Sequence, residues 1–122
     1  MDSDTTFRHM VNVLIRRHYP HAIVREASNQ QDALRQIGCF SPCLILTEVD
    51  LSGRRCMDLP RKMLAIHPQS VVVVLTSYDL PEYREALFQA GTHHFISKSL
   101  PSAPVILAIV GEELNASHPA PC

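Results

Sequence analysis

The five consecutive apolar residues Val71–Leu75 constrain the fold of this chain more than any other stretch. A run that is apolar at every position is typical of a strand buried on both faces, as in a parallel sheet. The stretch Cys43–Thr47 is a second run of this kind, and shorter strand patterns lie at 22–26 and 94–97. Because helical patterns separate these runs, we predict an α/β fold with a doubly wound parallel sheet.

Five segments carry apolar residues at helical spacing, and punctuating residues flank them. Asp4 is among the candidate N-caps of the first helix, Ser28 and Gln31 form a capping box for the second, and Gly38 is its predicted C-terminal stop. The remaining helices are predicted around 58–66, 79–90 and 105–114. The first helix has no strand before it, whereas each of the others does.

Composition limits the function classes open to the chain. With 122 residues, 46% hydrophobic residues and a net charge of −1, it is long enough for one buried core and is not disordered. The near-neutral charge predicts no direct nucleic-acid binding, and the absence of a long apolar run predicts no membrane span. No signal peptide is visible, so we expect a cytoplasmic protein with reduced cysteines. The domain is expected at 1–115, followed by a tail or linker start at 116–122.

Residues that can carry chemistry come directly after the predicted strands. In open parallel sheets, ligands bind beyond the carboxyl ends of the strands, so these side chains should converge there. Carboxylate oxygens suit Mg²⁺, whereas hydroxyl and ammonium groups suit phosphate oxygens. The residues concerned are Asp2 and Asp4 before the first helix, and Glu48, Asp50, Thr76 and Lys98 after the strands.

Three motifs at these positions resemble one known family. They are CLILTEVDLSG at 43–53, VVVVLTSYD at 71–79 and ALFQAGTHHFISK at 86–98. Their order and spacing resemble the receiver domain of bacterial two-component response regulators, a flavodoxin-like fold, over about 7–110. The resemblance implies a switch hydroxyl at Thr76, a switch aromatic at Phe95 and a phosphate-binding lysine at Lys98.

The phosphoacceptor position departs from this family. The family has an aspartate there, three residues before a turn, and counting back from Leu51–Gly53 places Glu48 at that position. Glutamate is longer by one methylene, and a displacement of about 1 Å in such chemistry can cost about a hundredfold in rate. We therefore expect Glu48 to be a poor phosphoacceptor and a partial mimic of the phosphorylated state. Asp50 is the fallback phosphoacceptor.

The metal site implied by the resemblance is also altered. The acidic pair of the family falls on Asp2 and Ser3, or on Asp2 and Asp4 after a local slip. Together with Glu48, Asp2 and Asp4 are the candidate Mg²⁺ ligands, although at least one family carboxylate is lost or displaced. Asp2 and Asp4 are equally well explained as acids at a helix N-terminus.

The apolar first strand of the family is missing before Met1. In this family the sheet order is 2-1-3-4-5, so the first strand is interior. Such a strand contributes on the order of 10 kcal/mol of burial, comparable with the whole stability of a typical domain. We consider three ways to fill the gap: residues upstream of Met1, a strand from another copy, or direct pairing of the two flanking strands.

The resulting hypothesis is a phosphorylation-independent pseudo-receiver that acts through protein–protein contacts in a two-component phosphorelay. Its expected partners are a sensor histidine kinase or an output protein, with a homodimer or strand exchange also considered. The alternative is a conventional phospho-accepting receiver with a truncated N-terminus. A third reading, a small phosphatase-type enzyme using the same carboxylates, has little support because the chain has no phosphate loop and no nucleophile elbow.

Overall fold

A computed structural model describes residues 1–2, 4–48, 59–77, 81–98 and 102–116 of the chain. Helices and strands alternate through most of it, as the apolar pattern predicts. The elements in chain order are α1 (Thr5–His18), α2 (Gln30–Phe40), β1 (Leu44–Glu48), α3 (Leu59–Ile66), β2 (Val71–Thr76), α4 (Pro81–Gln89), β3 (His94–Ser97) and α5 (Ala103–Ala116).

The described strands form one parallel sheet in the order β1-β2-β3. The register pairs Leu44 with Val71 at one end of β1 and Glu48 with Leu75 at the other. Thr76 lies opposite Ser97 on β3, so the carboxyl ends of all three strands reach one edge of the sheet. This arrangement confirms the predicted parallel α/β architecture.

The valine run of β2 supplies the core on both faces of the sheet. Successive side chains of a strand point to opposite faces, and β2 is buried on both. Val72 and Val74 pack in one cluster with residues of α2, α3 and α4. Val73 and Leu75 pack in a second cluster with residues of α1 and α5. The sheet is therefore doubly wound, with helices covering each face.

The predicted strand at 22–26 is wrong as a sheet strand. Residues 22–27 belong to no helix or strand, and no described hydrogen bond joins them directly to β1. Direct pairing of the two flanking segments therefore does not fill the gap left by the missing first strand. The described main chain beside this segment is that of Met1 and Asp2, which offers it one hydrogen bond, from the Asp2 N–H to the Ala27 carbonyl.

Met1 and Asp2 occupy that end position, between segment 22–27 and β1. The Met1 amine donates a hydrogen bond to the Leu46 carbonyl, and the Glu48 N–H donates to the Met1 carbonyl at 2.8 Å. On the other side the Asp2 N–H donates to the Ala27 carbonyl at 3.1 Å. Met1 and Asp2 are thus hydrogen-bonded to β1 on one side and to segment 22–27 on the other, as residues of an interior strand would be.

The ends of α2 differ from the predicted ones. Asn29, not Ser28, is the N-cap, and its side-chain oxygen accepts the Asp32 N–H at 2.8 Å. The helix continues through Gly38 to Phe40 and ends at Ser41, which adopts a left-handed φ of 47°. Asparagine is as good an N-cap as serine and also tolerates the cap geometry, so sequence alone did not separate the two.

The prediction that the cysteines are reduced thiols is wrong for Cys43, which is disulfide-bonded. Cys39 is a free and exposed thiol. The expectation of reduced thiols followed from the predicted cytoplasmic location, and the positions of cysteines along the chain do not report which of them come close enough to bond. Within the described ranges, no helix has both the length and the apolar character needed to cross a membrane.

Candidate functional site

Lys98 lies just after β3 and bridges two carboxylates at the carboxyl edge of the sheet. Its Nζ is 2.7 Å from Asp2 Oδ2 and 3.4 Å from Glu48 Oε1. The parallel register explains the approach, because β1 and β3 end at the same edge on either side of β2. The backbone N–H of Lys98 also donates to the Thr76 carbonyl at 2.7 Å. This bond holds in place the backbone from which the lysine side chain extends.

Asp2 is the most buried charged residue of this site, with only 3% of its surface exposed. Its Oδ1 accepts the Asp4 N–H at 2.9 Å, so both carboxylate oxygens have a partner. Burial raises the pKa of the Asp2 carboxyl above its usual range, while the hydrogen bonds from Lys98 and from the Asp4 N–H oppose this rise. Asp2 therefore depends on Lys98 to remain charged.

Phe7 covers the lysine on the side of α1. The Lys98 Nζ lies 4.5 Å from the centroid of the Phe7 ring, within the range of a cation–π contact. The sequence pattern places Phe7 on the apolar face of α1 and gives no sign of this second role. The contact reduces the exposure of the ammonium group and strengthens its pairing with Asp2.

Asp4 serves as the N-cap of α1. Its Oδ1 accepts the Phe7 N–H at 3.1 Å, and its backbone has the extended conformation usual for a cap. The structure thus shows a helix-capping role for Asp4, one of the two roles that the sequence left open.

Two of the predicted magnesium ligands, Asp2 and Glu48, are paired with Lys98. The Lys98 ammonium is shared by the carboxylates of Asp2 and Glu48, so it balances only one of their two negative charges. Among the residues that the structure describes, no group of three or more His, Cys, Asp or Glu side chains could hold a metal. Mg²⁺ is commonly bound through one or two carboxylates together with several waters, so a magnesium ion here would share Asp2 and Glu48 with the lysine.

The remaining predicted residues lie around this edge. Thr76 ends β2 and is 1% exposed. Phe95, on β3, is half-buried against the core cluster of α2, α3 and α4, and the Arg84 guanidinium carbon is 4.8 Å from its ring centroid. Asp50 lies outside the described residues.

A polar network next to Asp2 was missed as a set from the sequence. The Arg8 Nη1 donates to the Asp2 carbonyl at 2.7 Å, and its Nε donates to Glu26 Oε1 at 3.0 Å. Asn12 donates to Glu26 Oε2 at 2.6 Å. The hydrogen bond from Asn12, followed by that from Arg8, lowers the pKa of Glu26. The network connects α1 to residues 1–2 and to segment 22–27. In the sequence, its one indication is that Arg8 and Asn12 lie one helical turn apart.

A doubly wound parallel sheet with an acid–lysine cluster at its carboxyl edge is the arrangement that the resemblance to receiver domains implies. The chain belongs to the response regulator receiver domain family, whose model matches residues 1–110. Receiver domains are signalling modules of two-component systems, and the chain shares that class.

Individual relatives are similar over most of this chain but only part of their own length. The chain is 28% identical over 87 residues to the response regulator GacA of Pseudomonas syringae pv. syringae, covering 71% of this chain and 41% of that protein. It is 24% identical over 95 residues to the transcriptional regulatory protein YesN of Bacillus subtilis, covering 78% of this chain and 25% of that protein. The chain thus spans less than half the length of these relatives.

Solved structures agree on the fold. A response regulator from Thermotoga maritima matches with a TM-score of 0.81 and 20% identity, covering 94% of this chain and 93% of that one. A CheY-like receiver domain from Methanospirillum hungatei matches with a TM-score of 0.80 and 20% identity, covering 94% and 90%. At this identity the likeness concerns the fold alone.

Proposed function

We propose that the chain is a pseudo-receiver, a receiver domain that signals by protein–protein contact without phosphorylation of its own acceptor position. The observation that carries this proposal is the ion pair between Glu48 and Lys98, with Nζ 3.4 Å from Oε1. The longer side chain of glutamate brings a negative charge to the lysine without a phosphoryl group. Lys98, Glu48 and Asp2 together form a charge cluster in which one ammonium pairs with two carboxylates.

In this proposal the signal passes from the charge cluster to a surface for partners. Thr76 and Phe95 provide the coupling, and the surface is built by α4, β3 and α5. The contact of Arg84 of α4 with the Phe95 ring supports this role, because a shift of the ring would disturb α4. The partner would be a sensor histidine kinase or an output protein in the cytoplasm of a bacterium, and a homodimer is a further arrangement to test.

The first experiment measures phosphorylation directly. The purified protein is incubated with acetyl phosphate and Mg²⁺, and its intact mass is recorded. We expect no stoichiometric phosphoryl adduct, because the Glu48 carboxylate is displaced by one methylene and paired with Lys98. A Glu48→Asp variant and a Glu48→Asp/Ser3→Asp variant, which restore the acids of the family pattern, serve as matched controls and should gain the adduct.

A stoichiometric adduct on the parent protein would overturn the proposal. Glu48→Gln then separates the two acceptors: loss of the adduct identifies Glu48, and its persistence with a modified Asp50 identifies the conventional alternative. Family membership favours this alternative, a phospho-accepting receiver, since accepting a phosphoryl group is what the family pattern implies.

A second experiment tests the coupling without a known partner. Glu48→Gln removes the charge of Glu48 while keeping its size, so amide hydrogen exchange should rise in β3 and α4 if the charge cluster holds that face. Glu112→Gln, on α5, is the matched control for loss of one acidic charge. Unchanged exchange in both variants would contradict a switch operated by Glu48.

A further inference from the structure

His93 joins the start of β3 to β2 through both its main chain and its ring. The Val72 carbonyl accepts the His93 N–H at 2.8 Å, and the Val72 N–H donates to the Nδ1 atom of the same histidine at 3.1 Å. Val72 is fully buried, whereas His93 is exposed to solvent. The imidazole therefore supplies the acceptor for a buried main-chain donor of the sheet.

The ring takes the place of a main-chain carbonyl. In a parallel pair, the N–H and the carbonyl of one residue bond to two different residues of the neighbouring strand. The second of these residues would precede His93, but the chain there is still turning out of α4, with Gly91 at a left-handed φ of 107°. The register pairing of β2 with β3 begins at Val73 and His94. The histidine side chain thus adds a hydrogen bond at the end of the ladder that the main chain does not supply.

This contact fixes the protonation state of the ring. The Val72 N–H is a donor, so Nδ1 must carry its lone pair, and the proton of the neutral ring is on Nε2. A second proton would make Nδ1 a donor as well, and two donors cannot bond to each other. Because a buried main-chain N–H without a partner is costly, the loss of this acceptor would favour opening of the junction between β2 and β3.

Hydrogen bonding, and not an ion pair, is the interaction that would respond to protonation of His93. β2 carries no titratable side chain. The titratable or charged side chains on the other elements around this junction are His67 before β2, His94 on β3, Arg61 and Lys62 on α3, Glu82, Tyr83, Arg84 and Glu85 on α4, and Glu112 and Glu113 on α5. Within the described ranges, no ion pair joins any of them to His93.

We propose that His93 is a pH-sensitive switch between β2 and β3: the neutral ring holds the Val72 N–H, and the protonated ring releases this end of β3 together with the turn from α4. Histidine is the side chain whose charge ordinarily changes between about pH 5 and 8, and the exposed ring can take up a proton from solvent. α4 and β3 belong to the partner surface proposed above, so an effect of the switch on partners rests on that proposal.

The test compares three variants with the parent protein by NMR. His93→Asn keeps an acceptor near the position of Nδ1, because the amide oxygen accepts a hydrogen bond but does not titrate. His93→Ala removes the acceptor at every pH, and His94→Asn is the matched control for the loss of one histidine at the next residue. The measured quantity is the exchange rate of the Val72 N–H divided by that of the Val74 N–H, which cancels the common pH dependence of amide exchange.

The parent and the variants should differ in how this ratio depends on pH. We expect it to rise about tenfold in the parent between about pH 7.5 and pH 5, because the Val72 N–H loses its partner. His94→Asn should follow the parent, His93→Asn should stay constant, and His93→Ala should be high at both pH values. The ¹⁵N shifts of the His93 ring should show the proton on Nε2 at the higher pH.

Three results would overturn the proposal. A ratio that stays constant in the parent would show that protonation does not open the junction. A proton on Nδ1 at the higher pH would show that the ring does not accept the Val72 N–H. An equal rise in His93→Asn and the parent would assign the pH dependence to another group, first of all His67, whose ring is bonded to Ser70 just before β2. Neither measurement involves Glu48 or a phosphoryl group, so failure of the switch is distinguishable from failure of the pseudo-receiver proposal.

Discussion

The two sides of β1 are held by very different means. Toward β2, all five residues of Leu44–Glu48 pair in register with Val71–Leu75. Toward segment 22–27, the contacts are two hydrogen bonds with Met1. We call these the closed side and the groove side. The closed side gives β1 its position, whereas the groove side places a single buried acid, Asp2, at the edge where the strands end.

The difference shows that the hydrogen bonds of Asp2 to three separate parts of the chain hold it at the site. Asp2 is bonded to segment 22–27 through its own N–H, to Arg8 through its carbonyl and to Lys98 through its carboxylate. Lys98 follows β3, the strand farthest along the closed side. The ion pair between Asp2 and Lys98 therefore connects the two sides of β1. Removing this pair is the strongest test of whether the two sides depend on each other.

Replacing Lys98 with methionine is expected to have the largest effect. The change leaves the buried Asp2 carboxylate without its cation, and breaking a buried ion pair from one side costs about 3–5 kcal/mol of unfolding free energy. Without the lysine the pKa of Asp2 rises further, so protonation relieves the penalty. The deficit relative to the parent should therefore be largest at neutral pH and shrink as the pH falls through the new Asp2 pKa. Urea denaturation at several pH values measures it.

A double variant separates charge from packing in this result. In Asp2→Asn/Lys98→Met no buried charge remains at the pair, so much of the lost stability should return at neutral pH. Equal instability of the single and double variants would show that Lys98 acts through packing, for example against Phe7, and not as the counter-ion of Asp2.

A matched pair of isoleucines compares the two sides directly. Ile96 on β3 is 5% exposed, whereas Ile23 in the groove-side segment is 70% exposed. Ile96→Ala should cost about 2–5 kcal/mol of unfolding free energy, because it leaves a cavity in the packed core. Ile23→Ala should stay within about 0.5 kcal/mol. A cost for Ile23→Ala near that of Ile96→Ala would mean that segment 22–27 is packed against something else in solution.

The sequence predicts the strands that pair on the closed side of β1, but it does not predict the structure on the groove side. The valine run predicts β2 because apolar side chains on both faces are required of a central parallel strand. Segment 22–26 also carries a short strand pattern, yet it belongs to no strand, and the described main-chain bond between residues 1–2 and segment 22–27 is the one from the Asp2 N–H to the Ala27 carbonyl. Strand formation depends on a partner at a distance, which a local pattern does not report.

The contacts of the candidate site were likewise predicted only in part from the sequence. The rule that strands end at one edge predicted that Lys98 and Glu48 approach each other, and Asp2 was predicted beside them as an acid. The cation–π contact of Phe7 and the bonds of Arg8 to Asp2 and Glu26 were not predicted as contacts of the site. These depend on how α1 is rotated against the sheet, which is set by packing and not by the spacing of residues along the helix.

The groove side should also confer a pH dependence on the chain that begins at Met1. Burial lowers the pKa of the Met1 amine from 8.0 to about 6. The uncharged amine favours the folded state, so this contribution is full above pH 8 and is lost as the pH falls toward 6, a change of about 2–3 kcal/mol. Unfolding free energy measured between pH 6 and pH 8 tests the expectation.

The matched control for this pH series is the same chain acetylated at the Met1 amine, which removes the titration of that group. All side chains are shared, so the difference between the two pH profiles isolates the amine. Parallel profiles would show that the Met1 amine is not buried in solution, and the groove side would then be more open than the structure describes.

The smallest expected effect concerns Asp4, next to the groove side. Because Asp4 caps α1 through the Phe7 N–H, Asp4→Ala should cost about 1 kcal/mol of unfolding free energy. Asparagine caps as well as aspartate, so Asp4→Asn should lose only the few tenths that the charge contributes at a helix N-terminus. The bond from the Asp4 N–H to Asp2 Oδ1 uses only the main chain of Asp4, so both variants keep it. Urea denaturation with and without Mg²⁺ distinguishes a cap from a metal ligand: a Mg²⁺-dependent stabilisation that disappears in Asp4→Asn would contradict the cap and restore Asp4 as a ligand.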